Sequence, residues 1–532
     1  MKKSLLKEMI KNISCKFHST SKSKYYKRMK TRILTIAATL MLIASTAAAQ
    51  TLDDALRYSR IFYQGTARFN GMSGAFTALG GDISSVALNP AAAGVFRSTE
   101  ISISPNLMFR TLNTSFNGFS NDNSASDFKL GQVGVVSSLS TGRRSGLTNL
   151  NIAYTLNRTN NFYRYAVIDG ISDNSSMADF WALQAEGYNT WELEGMPWVA
   201  YDSYMIDTLP GEFKQYASIF SYYGETEPGY GQKMKRTVDN YGYTNEHNIA
   251  IGANISDKLY LGVAFGITGL SYTSHYLHSE IDDADLIYDF EDFSYTDHFV
   301  ASGAGFNFKL GAIVRPVESL RIGLSFTTPT VYTVDEWFYN SFTAFLNNDT
   351  PVDFTDDIDY SSDSGELTYR YRITTPYRIN AGVAYQVGNF ALLSADYEFI
   401  DYATARLSRG EDGYDFYNEN EDLKSELGSA GNLRLGAEVR LGSLYLRGGY
   451  SHYGSSFREG TLNESATNTG YSTGIGFRQN KFYIDLSMVW LTGSEGYMLY
   501  PDDPRSNPLY RSDPVYIDTD DKYLTATLGF KF

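Results

Sequence analysis

From Asn432 to Leu441 the chain alternates residue by residue. Leu433, Leu435, Ala437, Val439 and Leu441 take one parity, and Asn432, Arg434, Gly436, Glu438 and Arg440 take the other. Successive side chains of a strand point to opposite faces, so this is a strand with one apolar and one charged side. The pattern recurs. Leu259, Leu261, Val263, Phe265 and Ile267 alternate with Tyr260, Gly262, Ala264 and Gly266, and Leu320, Ile322, Leu324 and Phe326 alternate with Arg321, Gly323 and Ser325.

Fourteen such strands can be read between Thr99 and Phe532, with connections that alternate between short and long. Ser256-Asp257-Lys258, Arg315-Pro316-Val317-Glu318, Gly388, Gly442 and Gln479-Asn480 are tight turns. The links between them are longer and acidic, the longest running from about Asn161 to Asn245. An even strand number with this asymmetry is the signature of an outer-membrane barrel. A lipid-facing Arg costs about 2–4 kcal/mol at the bilayer midplane. The face carrying Arg434, Glu438, Arg440, Arg447 and Arg478 is therefore the lumen, and because an open strand edge cannot sit in hydrocarbon the sheet must close. Glu366 to Val387 reads as one long strand that keeps its parity across Pro376, with Arg370, Arg372 and Arg378 facing inward. The expected fold is all-β: a 14-stranded antiparallel transmembrane β-barrel of the bacterial outer membrane.

The inventory agrees, since 42 Tyr, 32 Phe and 46 Gly against 13 Pro suits aromatic-belted strands, and no later window has the ~18 apolar residues of a membrane helix. The chain ends Leu524, Ala526, Leu528, Phe530, Phe532 in alternation, which resembles the terminal strand read by barrel-assembly machinery. At its start, Lys30 and Arg32, the apolar run Ile33 to Ala44, and Ala47-Ala48-Ala49 read as a cleavable secretory signal, so residues 1–49 are leader and Met29 is an alternative start. The only cysteine, Cys15, lies in that leader. A net charge of −15, more negative once the basic leader is gone, excludes nucleic acid as a partner.

Chemistry-bearing motifs are few. Gly470-Tyr471-Ser472-Thr473-Gly474 matches a hydrolase nucleophile pattern, but that chemistry needs a strand-to-helix elbow, and Ser472 opens an alternating strand. His275, His278 and His298 lack zinc-site spacing, and the acidic clusters lack the glycine and final glutamate of a calcium loop. No catalytic residue, metal or cofactor is expected. The aromatic residues are more telling: Trp181, Trp191 and Trp198 lie in the longest loop, and Phe338, Phe342 and Phe345 beside Trp337 have helical spacing. They predict an apolar helix in an external loop, either a lid or a capture site for an apolar ligand.

Ahead of the strands, Arg68 to Phe96 is small-residue-rich. Met72, Ala75, Phe76 and Leu79 predict one short helix, Gly80-Gly81-Asp82 a break, and Ser84 to Leu88 a second helix before Asn89-Pro90. The stretch GMSGAFTALGGDISSVALNPA is similar to the N-terminal hatch of the FadL/TodX family of outer-membrane transporters for hydrophobic compounds. Asn89-Pro90-Ala91 matches that family's N-P-A signature, and Gly71, Gly74, Ala75 and Asp82 match its small and acidic positions. The resemblance implies three parts: leader 1–49, hatch 50–97, and barrel 98–532 with external loops 161–244, 277–298, 331–365, 406–429 and 493–519. It implies uptake of an apolar small molecule, such as a long-chain fatty acid, with outer-membrane lipid and lipopolysaccharide around the barrel. Gly71, Gly74, Asp82, Asn89, Pro90 and Ala91 would then form the gate. Met72, Phe76, Leu79, Trp337, Phe338, Phe342 and Phe345 would meet the ligand. The alternative is a related barrel that serves as a scaffold for a secretion or surface complex.

Overall fold

The computed structural model describes residues 52–223, 229–287, 289–346, 358–363, 366–501 and 512–532, so the leader lies outside the described residues. Strands β1 Glu100–Phe116, β2 Phe119–Ser140 and β3 Leu147–Asn161 (resuming as Arg164–Ile171) lead into β4 Lys233–Ile255, β5 Leu259–Ile281 and β6 Asp292–Val317. Two interrupted strands follow, β7 (Leu320–Thr327, Val331–Leu346) and β8 (Leu367–Thr374, Arg378–Val387). The wall then continues through β9 Ala391–Asp401, β10 Ser429–Leu441, β11 Leu444–Tyr453, β12 Asn468–Gln479, β13 Phe482–Tyr497 and β14 Val515–Lys531. Each pairs antiparallel with the next, and β14 returns to β1 from Glu100↔Lys531 to Ser115↔Tyr516. This is the closed fourteen-stranded antiparallel barrel that the alternation predicts.

The barrel is inside-out. Leu261, Val263, Phe308, Leu310 and Leu324 are exposed on its outer face, while Lys309, Arg378, Arg434 and Arg447 are buried within. Short turns gather at one end with Thr99 and Phe532, whose backbones meet at 2.9 Å. The first link at the far end is not a long loop: β1 and β2 run on to a two-residue turn, Asn117 and Gly118, both at positive φ. Asn-Gly is the favoured pair for such a hairpin.

Two further expectations fail, one at a break in the wall and one in the strand just above it. The strands β7 and β8 are interrupted side by side, at Thr328-Pro329-Thr330 and Thr375-Pro376-Tyr377. Proline offers no N–H to the ladder, and the two breaks are tied by Thr375 N to Thr330 O and Thr330 N to Thr375 Oγ1, each 2.9 Å. The facing of the chain reverses there. Below the break Ser325, Thr327, Arg378 and Asn380 face inward; above it the inward residues are Tyr332, Val334, Tyr371 and Ile373. Parity is therefore not kept across Pro376. Arg370 and Arg372 take the outward parity, where Arg370 pairs with Asp335 on the surface, and Arg440 is exposed beside the short turn at Gly442. The second failure is the helix at Trp337: Val331–Leu346 is strand, paired with β6 from Val331↔Phe306 to Phe345↔Asp292. Phe338 and Phe342 share one face in a strand as they do in a helix, and the paired edge decides.

The strand β3 supplies a third irregularity. It pairs with β2 only between Gln132↔Asn157 and Ser140↔Asn149. Beyond that it bends inward, and Arg164–Ile171 pairs with β4 alone while crossing behind the β1–β2 hairpin. Thr114 Oγ1 donates to Val167 O at 2.7 Å, and Asn121 Nδ2 donates to Asp169 Oδ1 at 2.7 Å. Among the described residues, the outer half of β2 has no main-chain ladder on its β3 side. The wall has a seam there.

Leu324 lies four residues above a short turn, roughly 13 Å along its strand, and is 56% exposed on the outer face. Leu324→Arg is expected to destabilise the barrel by about 2–4 kcal/mol in reversible refolding into bilayers. An unchanged stability would mean that this face does not meet lipid.

Candidate functional site

The lumen is filled from one end by residues 65–96. Thr66 begins this hatch: its Oγ1 caps helix Ala67–Asn70 by accepting from Phe69 N at 3.1 Å, and donates to Asp82 at 2.7 Å. Asp82 also accepts from Ser84 N at 3.0 Å, which ties the two halves together. The expected helix over Met72–Leu79 is a chain of turns, because Ser73 and Gly74 take positive φ immediately after Gly71 ends the first helix. The second helix, Ser85–Leu88, stands where predicted. Asn89, fully buried, then caps a 3₁₀ turn, Pro90–Val95. Its Oδ1 accepts from Ala91 N at 3.0 Å and its Nδ2 donates to Thr77 O at 2.7 Å.

The hatch lies directly on the wall at inward glycines. A Cβ on Gly311 would overlap Asn89 Oδ1, one on Gly262 would overlap the Pro90–Ala91 backbone, and one on Gly323 would overlap Thr77. Polar side chains fix the remaining edges. Arg68 makes a two-bond fork to Glu438 (2.9 and 3.1 Å), which also takes Arg447 Nε at 2.6 Å. On the strand next to Glu438, Asp396 accepts from Thr77 N at 2.7 Å, and elsewhere around the wall Lys309 Nζ donates to Ala87 O and Asn151 Nδ2 to Phe96 O, each at 2.7 Å. Met72, Phe76 and Leu79 are buried in the hatch's own core with Phe69 and Leu88, and Met72 abuts Gly436 and Gly449.

Above the hatch is a chamber lined mainly by apolar and aromatic side chains, which also holds the Arg57–Asp54 pair and Glu336, to which Tyr371 Oη donates at 2.6 Å. Tyr272, Phe299, Tyr332, Tyr371 and Ile373 come inward from four successive strands, and Phe416, Leu423 and Leu427, in and beside helix Tyr417–Glu426, roof it. Ala55, Leu56 and Tyr58, from a helical turn through residues 52–59, occupy its middle. Tyr58 sits edge-on to Phe162 and Tyr272, and the Arg57 guanidinium lies 4.1 Å from the Tyr272 ring centre. Phe338 packs against this cluster.

A second apolar cluster forms under the longest loop. Helices Met177–Ala185 and Gly195–Asp202 fold with a small hairpin, Ile206–Thr208 and Tyr216–Ser218, into a lid. Trp181 seats it, with ring contacts to Phe342 at 5.4 Å and Phe293 at 5.5 Å. The barrel rim answers through Glu280, which accepts from Met177 N at 2.8 Å and Gln232 Nε2 at 2.9 Å. Trp337 and Phe345, by contrast, face outward.

The candidate residues thus divide among three places: hatch, chamber wall and lid seat, with Trp337 and Phe345 apart from all three. The chamber aromatics and the 52–59 turn escaped the sequence reading. Their one legible signal was the Thr-Pro in each of β7 and β8, which marks a change of facing.

Removing Arg68 leaves Glu438 with one fewer buried partner and unties the hatch on that side, a loss of order 3–5 kcal/mol for a buried pair. Arg68→Ala is expected to raise ion conductance of the barrel in planar bilayers and to speed proteolysis of the hatch. Wild-type conductance in the variant would show that the fork does not hold the hatch. In the lid, burial pushes the Asp179 carboxyl up to about 7, partly offset by bonds from Ser218, Ser176 and Tyr230. A carboxyl that holds its proton more tightly folded than unfolded contributes stability at low pH that is lost as pH rises from about 4 to about 7. The lid is expected to resist protease better at about pH 5 than at about pH 8, and Asp179→Asn is expected to flatten that difference. Equal protection of the wild type at both would remove the link.

No protein-family model matches the chain, and no curated protein matches it in sequence. Solved structures match it in fold. A Pseudomonas aeruginosa FadL homologue aligns with a TM-score of 0.54 at 10% identity, over 89% of this chain and 100% of its own. The Pseudomonas putida toluene transporter TodX aligns at 0.49 and 11% identity, over 88% and 99%. The Ralstonia pickettii toluene transporter TbuX aligns at 0.45 and 11%, over 88% and 99%. The chain therefore shares its fold with that FadL homologue, and its closed barrel with an apolar outer face is a multi-pass β-barrel of the bacterial outer membrane.

Proposed function

We propose that the protein takes up apolar small molecules, with long-chain fatty acids as the leading candidate, through its hatch-closed barrel. The observation that carries this reading is the chamber: mainly aromatic and aliphatic side chains turned inward above the hatch, in a barrel whose lower lumen is charged. An apolar ligand gains by leaving water for such a site, and the few polar groups there can fix its orientation. The ligand enters beneath the lid and displaces Ala55, Leu56 and Tyr58. That displacement reaches the hatch through the chain between Tyr58 and Thr66, and the β2–β3 seam offers a sideways exit. Gly71, Gly74, Asp82, Asn89, Pro90 and Ala91 act as the gate, with Asn89 holding it closed. Met72, Phe76 and Leu79 meet the ligand only once the hatch lifts. The protein performs no chemistry in this reading.

A second reading, a scaffold that recruits a protein partner, draws on the lid surface, where Trp191 and Phe213 are 77% and 74% exposed. Aromatic residues are enriched where one protein docks on another.

Proteoliposomes carrying the protein are expected to take up a fluorescent long-chain fatty acid, and mass spectrometry of protein purified in mild detergent is expected to find an apolar molecule bound. Tyr371→Asp, which sets a second carboxyl beside Glu336 on the chamber wall and removes an aromatic ring, is expected to lower uptake at least tenfold, and Asn89→Ala to change its rate. Equal uptake by empty liposomes and by both variants would sink the transport reading, and a stoichiometric protein partner with no bound ligand would favour the scaffold.

A further inference from the structure

His275 and His298, grouped in sequence with His278, part from it in the fold. His278 is buried inside, against Glu280 at 3.0 Å. His275 and His298 face outward, directly opposite one another on the paired strands β5 and β6. Their ring centres stand 5.7 Å apart with planes at 84°, and the Trp337 ring stands edge-on to His298 at 5.1 Å.

We infer that this cross-strand pair is a binding site for a borderline transition-metal cation, Zn²⁺ or Cu²⁺. A ligating imidazole nitrogen lies about 2.0–2.1 Å from such an ion, which puts the ring centre about 3.2 Å away. Two rings around one ion then stand roughly 5–6 Å apart for angles from tetrahedral to somewhat wider. The observed separation falls in that range before any side chain moves. The backbone holds it, because opposed positions of an antiparallel ladder are fixed by the hydrogen bonds on both sides. Imidazole selects these ions over Mg²⁺ and Ca²⁺, which prefer oxygen. Among the described residues no third histidine, cysteine or carboxylate converges on the pair, so the ion keeps water in its remaining positions.

The pair lies toward the loop end of β5 and β6, whose opposite faces carry Tyr272 and Phe299 of the chamber and Phe293 and Tyr295 of the lid seat. A bound ion cross-links the outer faces of these two strands where the lid and chamber bear on their inner faces. This holds whether or not the barrel is a transporter, and it is independent of the uptake reading.

The test is a titration of the full chain in mild detergent with Cu²⁺, which quenches a neighbouring indole. One Cu²⁺ per chain is expected to bind saturably, with imidazole nitrogen coupling in its electron paramagnetic resonance spectrum. It is expected to quench an emission component that is absent from Trp337→Phe. His275→Ala and His298→Ala are each expected to weaken binding at least tenfold, while His247→Ala leaves it unchanged. All these positions face outward on a closed barrel, so the variants are expected to fold. Affinity unchanged in the His275→Ala/His298→Ala double variant, or no saturable binding by the wild type, would overturn the assignment.

Discussion

A strand in hydrocarbon has no water to satisfy its backbone, so every N–H and C=O in the wall must find a partner on a neighbouring strand. The pairing of β14 with β1 meets that demand for the whole molecule at once. It also creates the central problem of the structure, because a closed ring of this size encloses a lumen that must be filled, lined or left open. Most of what is distinctive here is how the lumen is occupied.

The lower half is filled by main chain resting on main chain. Inward glycines on β5, β6 and β7 let Pro90, Asn89 and Thr77 approach the wall more closely than any side chain would permit. Beside these close approaches, Ile83, Val86, Ala92, Ala93 and Phe96 pack on Val136, Ala153, Ala250 and Ala264 of the wall, and hydrogen bonds and charge fix the rest. The Arg68 fork to Glu438 and the Lys309 bond to Ala87 O are made in a desolvated interior, where an ion pair broken on one side is costly. Such a plug is firm when every bond is made, and it can be released by a few changes of partner.

The upper half depends on two prolines. Pro329 and Pro376 interrupt neighbouring strands at the same height, and the reversal of facing brings Tyr332, Val334, Tyr371 and Ile373 inward. With unbroken strands the same residues would face outward and Arg370 and Arg372 would line the lumen. One local irregularity thus adds four apolar and aromatic side chains to a chamber wall that already carries Tyr272 and Phe299. The helical turn at residues 52–59 and the helix Tyr417–Glu426 then close it from within and above.

Period-two alternation and the short turns were sufficient for the strand number, the inside-out arrangement and closure, because one face must meet lipid and each residue's parity records which. The small-residue, helix-like texture of Arg68 to Phe96 was enough to mark the hatch as distinct from the barrel. Parity is a local rule, however, and it fails where the backbone breaks: Arg370 was read inward and lies outward, and Tyr371 was read outward and lies inward. Local spacing also could not tell Phe338 and Phe342 in a helix from the same residues in a strand, since positions four apart share a face in both. Only the paired edge of β6 made that segment a strand. The tertiary structure alone decided what lies against what, setting Met72 on wall glycines, Tyr58 inside the chamber and His275 opposite His298, because those contacts join residues far apart in the chain.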